Sequence, residues 1–498
     1  MIHSLTLSDA LAEHARSRPQ VTAVVDGEVR LTYPELDERV SRLAAALDGL
    51  GVGAGDRVVW LGQNAYAVLE LLLACSRLGA VLCPANWRQS LDELRFVLGD
   101  LAPGAVVWEP SDVTTALRDE AGGAWVRAGE EYERLLAGAA PRDFAQVSDA
   151  EPVLALYTAA FSGRPSAALL SSAALLAHAT TLLVVRRMEP GFTFLNNGPL
   201  FHVGTMMFCL ATFQIGGTNV FTPAFDPEEV CRLIDAERVT QAFLFGPMID
   251  AVAKANAGGK YDLSSLRFVA HSAEWNDMIT VDDSPWCRSK MGGYGQTEVG
   301  GMLTFLGLAE GGAGPAGRPS PLAQVRIMAP DGSEVPVGEV GEICARGKTL
   351  FSGYFARPDL NAEKVAVRLA PHRRPRPPRT RRHHHLHRPQ ATHDQVGRRE
   401  HLPRRGRTRA QDPPRRGRRR RHRRPRPRMA PDGQGRRVPE AGRHRHGGRP
   451  DHAREGPAGG VQAPAPRHVR GHDPETRLHP PDYDALDEAH GGGNYPGA

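Results

Sequence analysis

Short apolar runs alternate with segments of helical period over the first 300 residues, and few folds accommodate that alternation. Thr22–Glu28 reads as a strand entering an Asp-Gly turn, and Val29–Thr32 returns from it. Tyr33–Leu50 then sets Leu36, Val40, Leu43, Ala44 and Leu47 at helical spacing. Residues 51–56 (GVGAGD) break that helix. Arg57–Leu61 (RVVWL) is a buried strand, residues 65–79 a helix, and Val81–Pro84 another strand. Buried strands in β-α-β-α order imply a parallel, doubly wound sheet, so the expected class is α/β. Such sheets bind ligands in loops that leave the carboxyl ends of their strands. From Val325 the pattern changes to short strands and turns (Gln324–Met328, Pro330–Gly332, Gly338–Gly347), which predicts a small antiparallel β unit.

Composition divides the 498 residues in two. The net charge of +6 is an average over unlike parts. Residues 366–498 hold 33 Arg, no Lys and 13 Asp and Glu, a net +20, while residues 1–365 carry −14. The tail also holds 15 of the 20 His and 20 of the 40 Pro, and its only aromatic residues are Tyr483 and Tyr495. A segment so poor in apolar side chains cannot offset its ordering entropy by burial, and as written it is expected to be disordered. The front is acidic and core-forming, which excludes a basic nucleic-acid binder as a description of the whole chain. Cys75, Cys83, Cys209, Cys231, Cys287 and Cys344 are dispersed, with no CxxC pair, which fits a reduced, cytoplasmic protein. The first 19 residues form an amphipathic helix without a signal-peptide core, and no run of 18 apolar residues suggests a membrane span.

Several motifs carry possible chemistry. In Leu156–Ser171, a strand (Pro152–Tyr157) runs into a loop of small and hydroxyl residues and then a helix near Ser172. Backbone N–H groups in such a loop can cradle phosphate oxygens, although a plain strand–turn–helix has the same signature. Tyr294–Glu298 (YGQTE) can place a hydroxyl and a carboxylate beside a phosphate and its Mg²⁺, or can cap a helix. His202, within Gly198–Gly204, is either a pocket residue or a core histidine. Gly314–Pro319, Gly338–Glu342 and Phe351–Phe355 each read alone as turns.

Taken in order and spacing, these six motifs resemble the acyl/aryl-CoA synthetases and adenylate-forming ligases over residues 5–365. The opening segments LTYPELDERVSRLAAAL, GDRVVWLGQNA and SRLGAVLCPANWR are similar to that family's first subdomain. The resemblance implies ATP-dependent activation of a carboxylate to acyl-AMP, then thioester formation with coenzyme A, with Mg²⁺ assisting. It implies a phosphate loop at Thr158–Pro165, including Ala159, Ala160, Phe161, Ser162 and Gly163. His202, Val203 and Gly204 would border the acyl pocket. Leu266–Ala273, with His271, Ser272 and Ala273, would run along adenine, and Tyr294 would stack on it, flanked by Gly295 and Gln296. Thr297 would touch the α-phosphate and Glu298 would hold Mg²⁺. The partners expected are a small carboxylic acid, ATP and CoA, with no specific nucleic acid. The apolar segments Val203–Cys209 and Phe243–Gly246 favour a hydrophobic, fatty-type acid.

This chain departs from the family at two places. The family's phosphate loop has Gly where Ala160 stands and Lys where Ser166 stands. Losing the Lys removes a charge partner for phosphate, and Ala and Phe restrict a backbone that Gly would free. Slow adenylation, a different cation, or a degenerate non-catalytic ligase would each follow. The family's C-terminal motifs are also absent after Phe355. Codons read one base later permit them, however: Leu369–Arg376 permits Trp-x-x-Thr-Gly-Asp-Leu-Gly, His385–Gln390 permits Thr/Ile-Phe-Ile-Gly-Arg-Lys, and His393–Arg405 permits Met-Ile-Lys-Ser-Gly-Gly-Glu-Asn-Ile-Tyr-Pro-Ala-Glu. Asp482–Glu488 resembles the family again in the written frame. The expected organisation is an adenylation domain (1–365), an out-of-frame segment in place of the C-terminal domain (366–481), and a family-like end (482–498). As written, the Arg-rich segment could also bind polyanions without sequence preference.

Overall fold

The computed structural model describes residues 4–366, apart from 121–122, 159–163, 285–286, 288–291, 310–316 and 338, together with 384–385. Three helices begin the same way. Thr6, Thr32 and Ser90 each accept the backbone N–H of an acidic residue three positions on, whose carboxylate returns to the cap N–H. These capping boxes satisfy two orphan donors apiece and start Leu7–Ser17, Tyr33–Gly49 and Leu91–Leu101.

Two large sheets organise the described residues. The larger has seven strands in the order Gly353–Tyr354, Ser166–Ser171, Pro152–Thr158, Val81–Pro84, Arg57–Leu61, Ala105–Trp108 and Ala124–Arg127. From Pro152–Thr158 outward to Ala124–Arg127 the neighbours are parallel. The second sheet runs Gln241–Ala242, Thr193–Asn196, Thr218–Phe221, Thr22–Asp26 and Val29–Thr32, parallel except for the last hairpin. The α/β, doubly wound expectation holds. The helix Tyr66–Leu78 is almost wholly buried, as its near-continuous apolar sequence requires. It shares one core with Leu36, Leu43 and Leu47 of Tyr33–Gly49 and with Met206, Leu210 and Phe213 of Val203–Gln214.

One expectation is corrected. Ser166–Ser171, read from sequence as loop entering a helix, is a strand antiparallel to Pro152–Thr158, and the helix Ser172–Val185 starts only after it. The strands that flank the candidate phosphate loop are therefore antiparallel neighbours. Beyond this hairpin, Ala323–Met328 and Glu342–Gly347 form the expected antiparallel unit, in register from Ala323–Gly347 to Met328–Glu342. Within the Arg-rich segment, His384–His385 pairs antiparallel with Ala345 and Cys344 as a third strand. Residues 367–383 and 386–498, on which the expectation of an unstructured tail falls, lie outside the described residues.

Candidate active site

The site grows from the carboxyl end of Pro152–Thr158, inside the larger sheet. Thr158 faces Ser166 across the hairpin, and its Oγ1 donates to the Ser166 carbonyl at 3.2 Å. The arms thus fix where the loop leaves and returns. Ala159, Ala160, Phe161, Ser162 and Gly163 lie outside the described residues. Along the return arm, Gly353–Tyr354 pairs antiparallel with Leu169 and Ala168, and the Phe355 N–H donates to the Ala167 carbonyl at 2.9 Å.

A second element meets the same arm. Gly293–Gln296 and Gly301–Phe305 form an antiparallel pair, joined by a 3₁₀ turn at Thr297–Val299 that lies against Ser166–Ser171. The pair is too close for side chains at its glycines. A Cβ on Gly293 would stand 2.1 Å from the Thr304 carbonyl oxygen, and one on Gly295 would stand 2.2 Å from that of Gly301. The turn carries Glu298 into a buried position, 8% exposed. Its carbonyl accepts the Phe351 N–H at 2.8 Å, and its Oε1 accepts the Tyr354 hydroxyl at 2.7 Å. Burial, and then the Glu298 carboxylate, push the Tyr354 hydroxyl far above the usual phenol range, so it remains a donor. Thr297 is half-buried on the same turn. Tyr294 is half-buried, packs against Val299, Leu303 and Leu350, and accepts from Gln296 Nε2.

The structure brings Thr158, Thr297 and Glu298 onto neighbouring elements. It gives the other candidates local partners. His271 is exposed and bonds Asp250 Oδ1 through Nε2 at 2.7 Å. Ser272 caps Ala273–Met278 by accepting the Trp275 N–H at 3.2 Å. His202 caps Val203–Gln214, its Nδ1 accepting the Gly204 N–H at 3.0 Å. Val203 and Gly204 are buried, Val203 in the main core. Further along that helix, Met207 and Phe208 join Phe194, Phe243, Met302 and Phe305 in an apolar cluster. Sequence reasoning missed Tyr354 as a partner of Glu298. Phe351–Phe355 reads alone as a turn, and nothing local signals a bond to a residue 56 positions earlier.

Chemically, the described part of the site offers hydroxyl groups and one buried carboxylate. Among the described residues no group of three or more His, Cys, Asp or Glu could hold a metal. A lone carboxylate fits Mg²⁺ shared with substrate phosphates, since that ion is usually bound by one or two carboxylates and the phosphates themselves. No helix of the described residues is long and apolar enough to cross a membrane.

Comparison with known proteins finds relatives in sequence and in fold. A feruloyl-CoA synthase from Amycolatopsis sp. is 36% identical over 357 residues, covering 70% of this chain and 71% of the relative. An indoleacetate–CoA ligase from Aromatoleum aromaticum is 32% identical over 388 residues, covering 73% and 74%. The inhibitor-bound N-terminal domain of FACL13 from Mycobacterium tuberculosis has the same fold, with a TM-score of 0.62 at 23% identity, covering 72% of this chain and 94% of that one. The family model described as AMP-binding enzyme matches residues 11–355, and the chain belongs to that family.

Proposed function

We propose that the protein activates a hydrophobic carboxylic acid with ATP. The substrate carboxylate oxygen bonds to the α-phosphorus while the bond to the pyrophosphate leaving group breaks, giving acyl-AMP. The thiol of CoA then displaces AMP to give the thioester. The observation that carries this reading is the buried Glu298, held by Tyr354 and the Phe351 amide against the return arm of the Thr158–Ser166 hairpin. Such groups act by positioning and by fixed polar contacts rather than by covalent chemistry. Charge neutralisation at the phosphates is what Mg²⁺ supplies when bound, and Glu298 is the residue that would hold it. Thr158 and Thr297 supply hydroxyl donors, and Tyr294 offers an aromatic face for the base. The cluster of Met207, Phe208, Phe243 and Phe305 supports an apolar acyl pocket. The names of the 36% and 32% identical relatives, for feruloyl and indoleacetate, favour an aromatic acid over a straight-chain fatty acid.

Acid-dependent exchange of pyrophosphate into ATP tests the first step, with ferulate, indoleacetate and a fatty acid as substrates. Exchange with an aromatic acid, reduced at least ~100-fold by Glu298→Ala, is expected from removal of a group that acts on the transferring phosphate. The second reading is a non-catalytic relative, favoured by Ser166 standing where the family carries Lys. No exchange with any acid would establish it instead.

A further inference from the structure

A phosphate site needs positive charge, and the hairpin arms lack a lysine. Another cation reaches the vacant position from 191 residues away: Arg357 Nη1 donates to Ser166 Oγ at 2.8 Å. Ser166 itself is 7% exposed, so the hydroxyl that receives the guanidinium is part of a built, buried surface. The backbone path that delivers Arg357 is specific. The segment runs as an edge strand through Tyr354, bonds Ala167 from Phe355, and then turns at Ala356, whose φ of 50° lies in the left-handed region. A left-handed alanine is unfavourable, and such strain persists where surrounding structure enforces it, often at functional positions. Immediately afterwards the Arg357 carbonyl accepts the Asn361 N–H at 2.9 Å, so Arg357 stands at the N-terminus of the helix Pro358–Ala366. A cation there opposes the helix dipole. Capping therefore does not account for the residue, whereas an anion would be favoured by both the helix end and the guanidinium.

Its other contacts leave capacity for a ligand. Asp359 Oδ1 lies 3.7 Å from Nε and its side chain is 71% exposed, while the Arg357 side chain is 27% exposed. The planar fork can therefore still take a second, charged acceptor, and phosphate suits it. Its charge is also felt at Tyr354, where it opposes the upward push of Glu298. Arg357 thus contacts the hairpin at Ser166 and acts electrostatically on Tyr354, the partner of Glu298.

We propose that Arg357 is the phosphate-binding cation of this site, occupying the place of the missing hairpin lysine and contacting phosphate oxygens of a nucleoside triphosphate. The inference rests on the nucleotide reading above and adds the residue that pairs with the phosphates. The test is equilibrium binding of ATP and of adenosine to the full chain and to Arg357→Gln, Arg357→Lys and Arg357→Gln/Ser166→Lys. Arg357→Gln is expected to weaken ATP binding at least ~10-fold, as loss of a charge-assisted contact does, with adenosine unaffected. Arg357→Lys should be intermediate, and Ser166→Lys should restore part of the loss. Unchanged ATP binding in Arg357→Gln overturns the inference while leaving the nucleotide reading intact. Equal losses of ATP and adenosine overturn it too, because Arg357 would then only brace the hairpin. A wild-type chain that binds neither ligand overturns the nucleotide reading along with it.

Discussion

His178 shows how one side chain links the site to solution conditions. It lies in Ser172–Val185, 1% exposed, and its Nε2 accepts the Met302 N–H at 2.8 Å. The ring is therefore neutral when that bond is made. Burial holds its pKa down at about 4, only partly opposed by the Met302 contact. Gly300, Gly301 and Met207 crowd the same space, and the Phe305 ring lies 6.4 Å away. The unfolded chain binds a proton on this histidine below about pH 6.5, and the folded chain refuses it until about pH 4. In that window the unfolded state holds more protons, so stability falls as pH falls. The loss attributable to His178 is on the order of 3 kcal/mol across the window. Urea midpoints measured at pH 7 and pH 4.5 should separate clearly in the wild type and converge in His178→Gln. An equal separation in both would show that other groups carry the pH dependence. Because Met302 lies four residues after Glu298, acid loosening at this bond would reach the site before the distant helices.

Helices of the first 140 residues meet over a buried ionic knot rather than a purely apolar seam. Glu70 of Tyr66–Leu78 is fully buried. Arg39 of Tyr33–Gly49 reaches it from Nε at 2.6 Å, and the Tyr132 hydroxyl of Glu130–Gly138 donates to it at 2.6 Å. Arg39 also binds Glu133 through both terminal nitrogens at 2.8 Å. Burial pushes the Glu70 carboxyl upward, and Arg39 and Tyr132 pull against it. Removing one partner of such a pair costs about 3–5 kcal/mol, because a buried charge is stranded, while replacing both with apolar groups costs far less. Arg39→Met should therefore destabilise strongly, and Arg39→Met/Glu70→Leu should recover most of the loss in chemical denaturation. A double variant no better than the single one would count against this account. Elements differ in how far their sequence announces them. Tyr33–Gly49 and Arg57–Leu61 announce themselves because their periods match their burial. Ser166–Ser171 (SAALLS) does not, because Ala and Leu favour helix and only pairing with Pro152–Thr158 makes it a strand. Glu298 is a candidate from sequence because its neighbours form a motif. Tyr354 and Arg357 reach the site through contacts spanning 56 and 191 residues, and no local pattern records such distances.

At the scale of the whole chain, charge separates what structure and comparison support from what the Arg-rich segment adds. The family match ends at residue 355, and the excess of Arg begins about ten residues later. As written, residues 366–498 carry +20 beside an acidic front of −14. Such a segment attracts polyanions by releasing their counterions, whatever their sequence. The recombinant chain should bind duplex DNA without sequence preference. Each phosphate neutralised contributes a slope of roughly −0.9 in a plot of log affinity against log salt, so several contacts give a steep line. The shifted reading frame makes the opposite forecast for protein purified from its natural source. Codons read one base later permit the Trp-x-x-Thr-Gly-Asp segment that the written frame lacks, and, with Arg as CGN, each Arg codon becomes one that begins with G and encodes no Arg. Native protein should then show little DNA affinity at any salt and should complete thioester formation. The recombinant chain should bind DNA and stop at acyl-AMP. Measuring salt-dependent DNA binding and thioester yield on both preparations therefore decides the tail. Equal, steep salt dependence in the two would mean that the Arg-rich segment is genuine, and the frame-shift reading would fall.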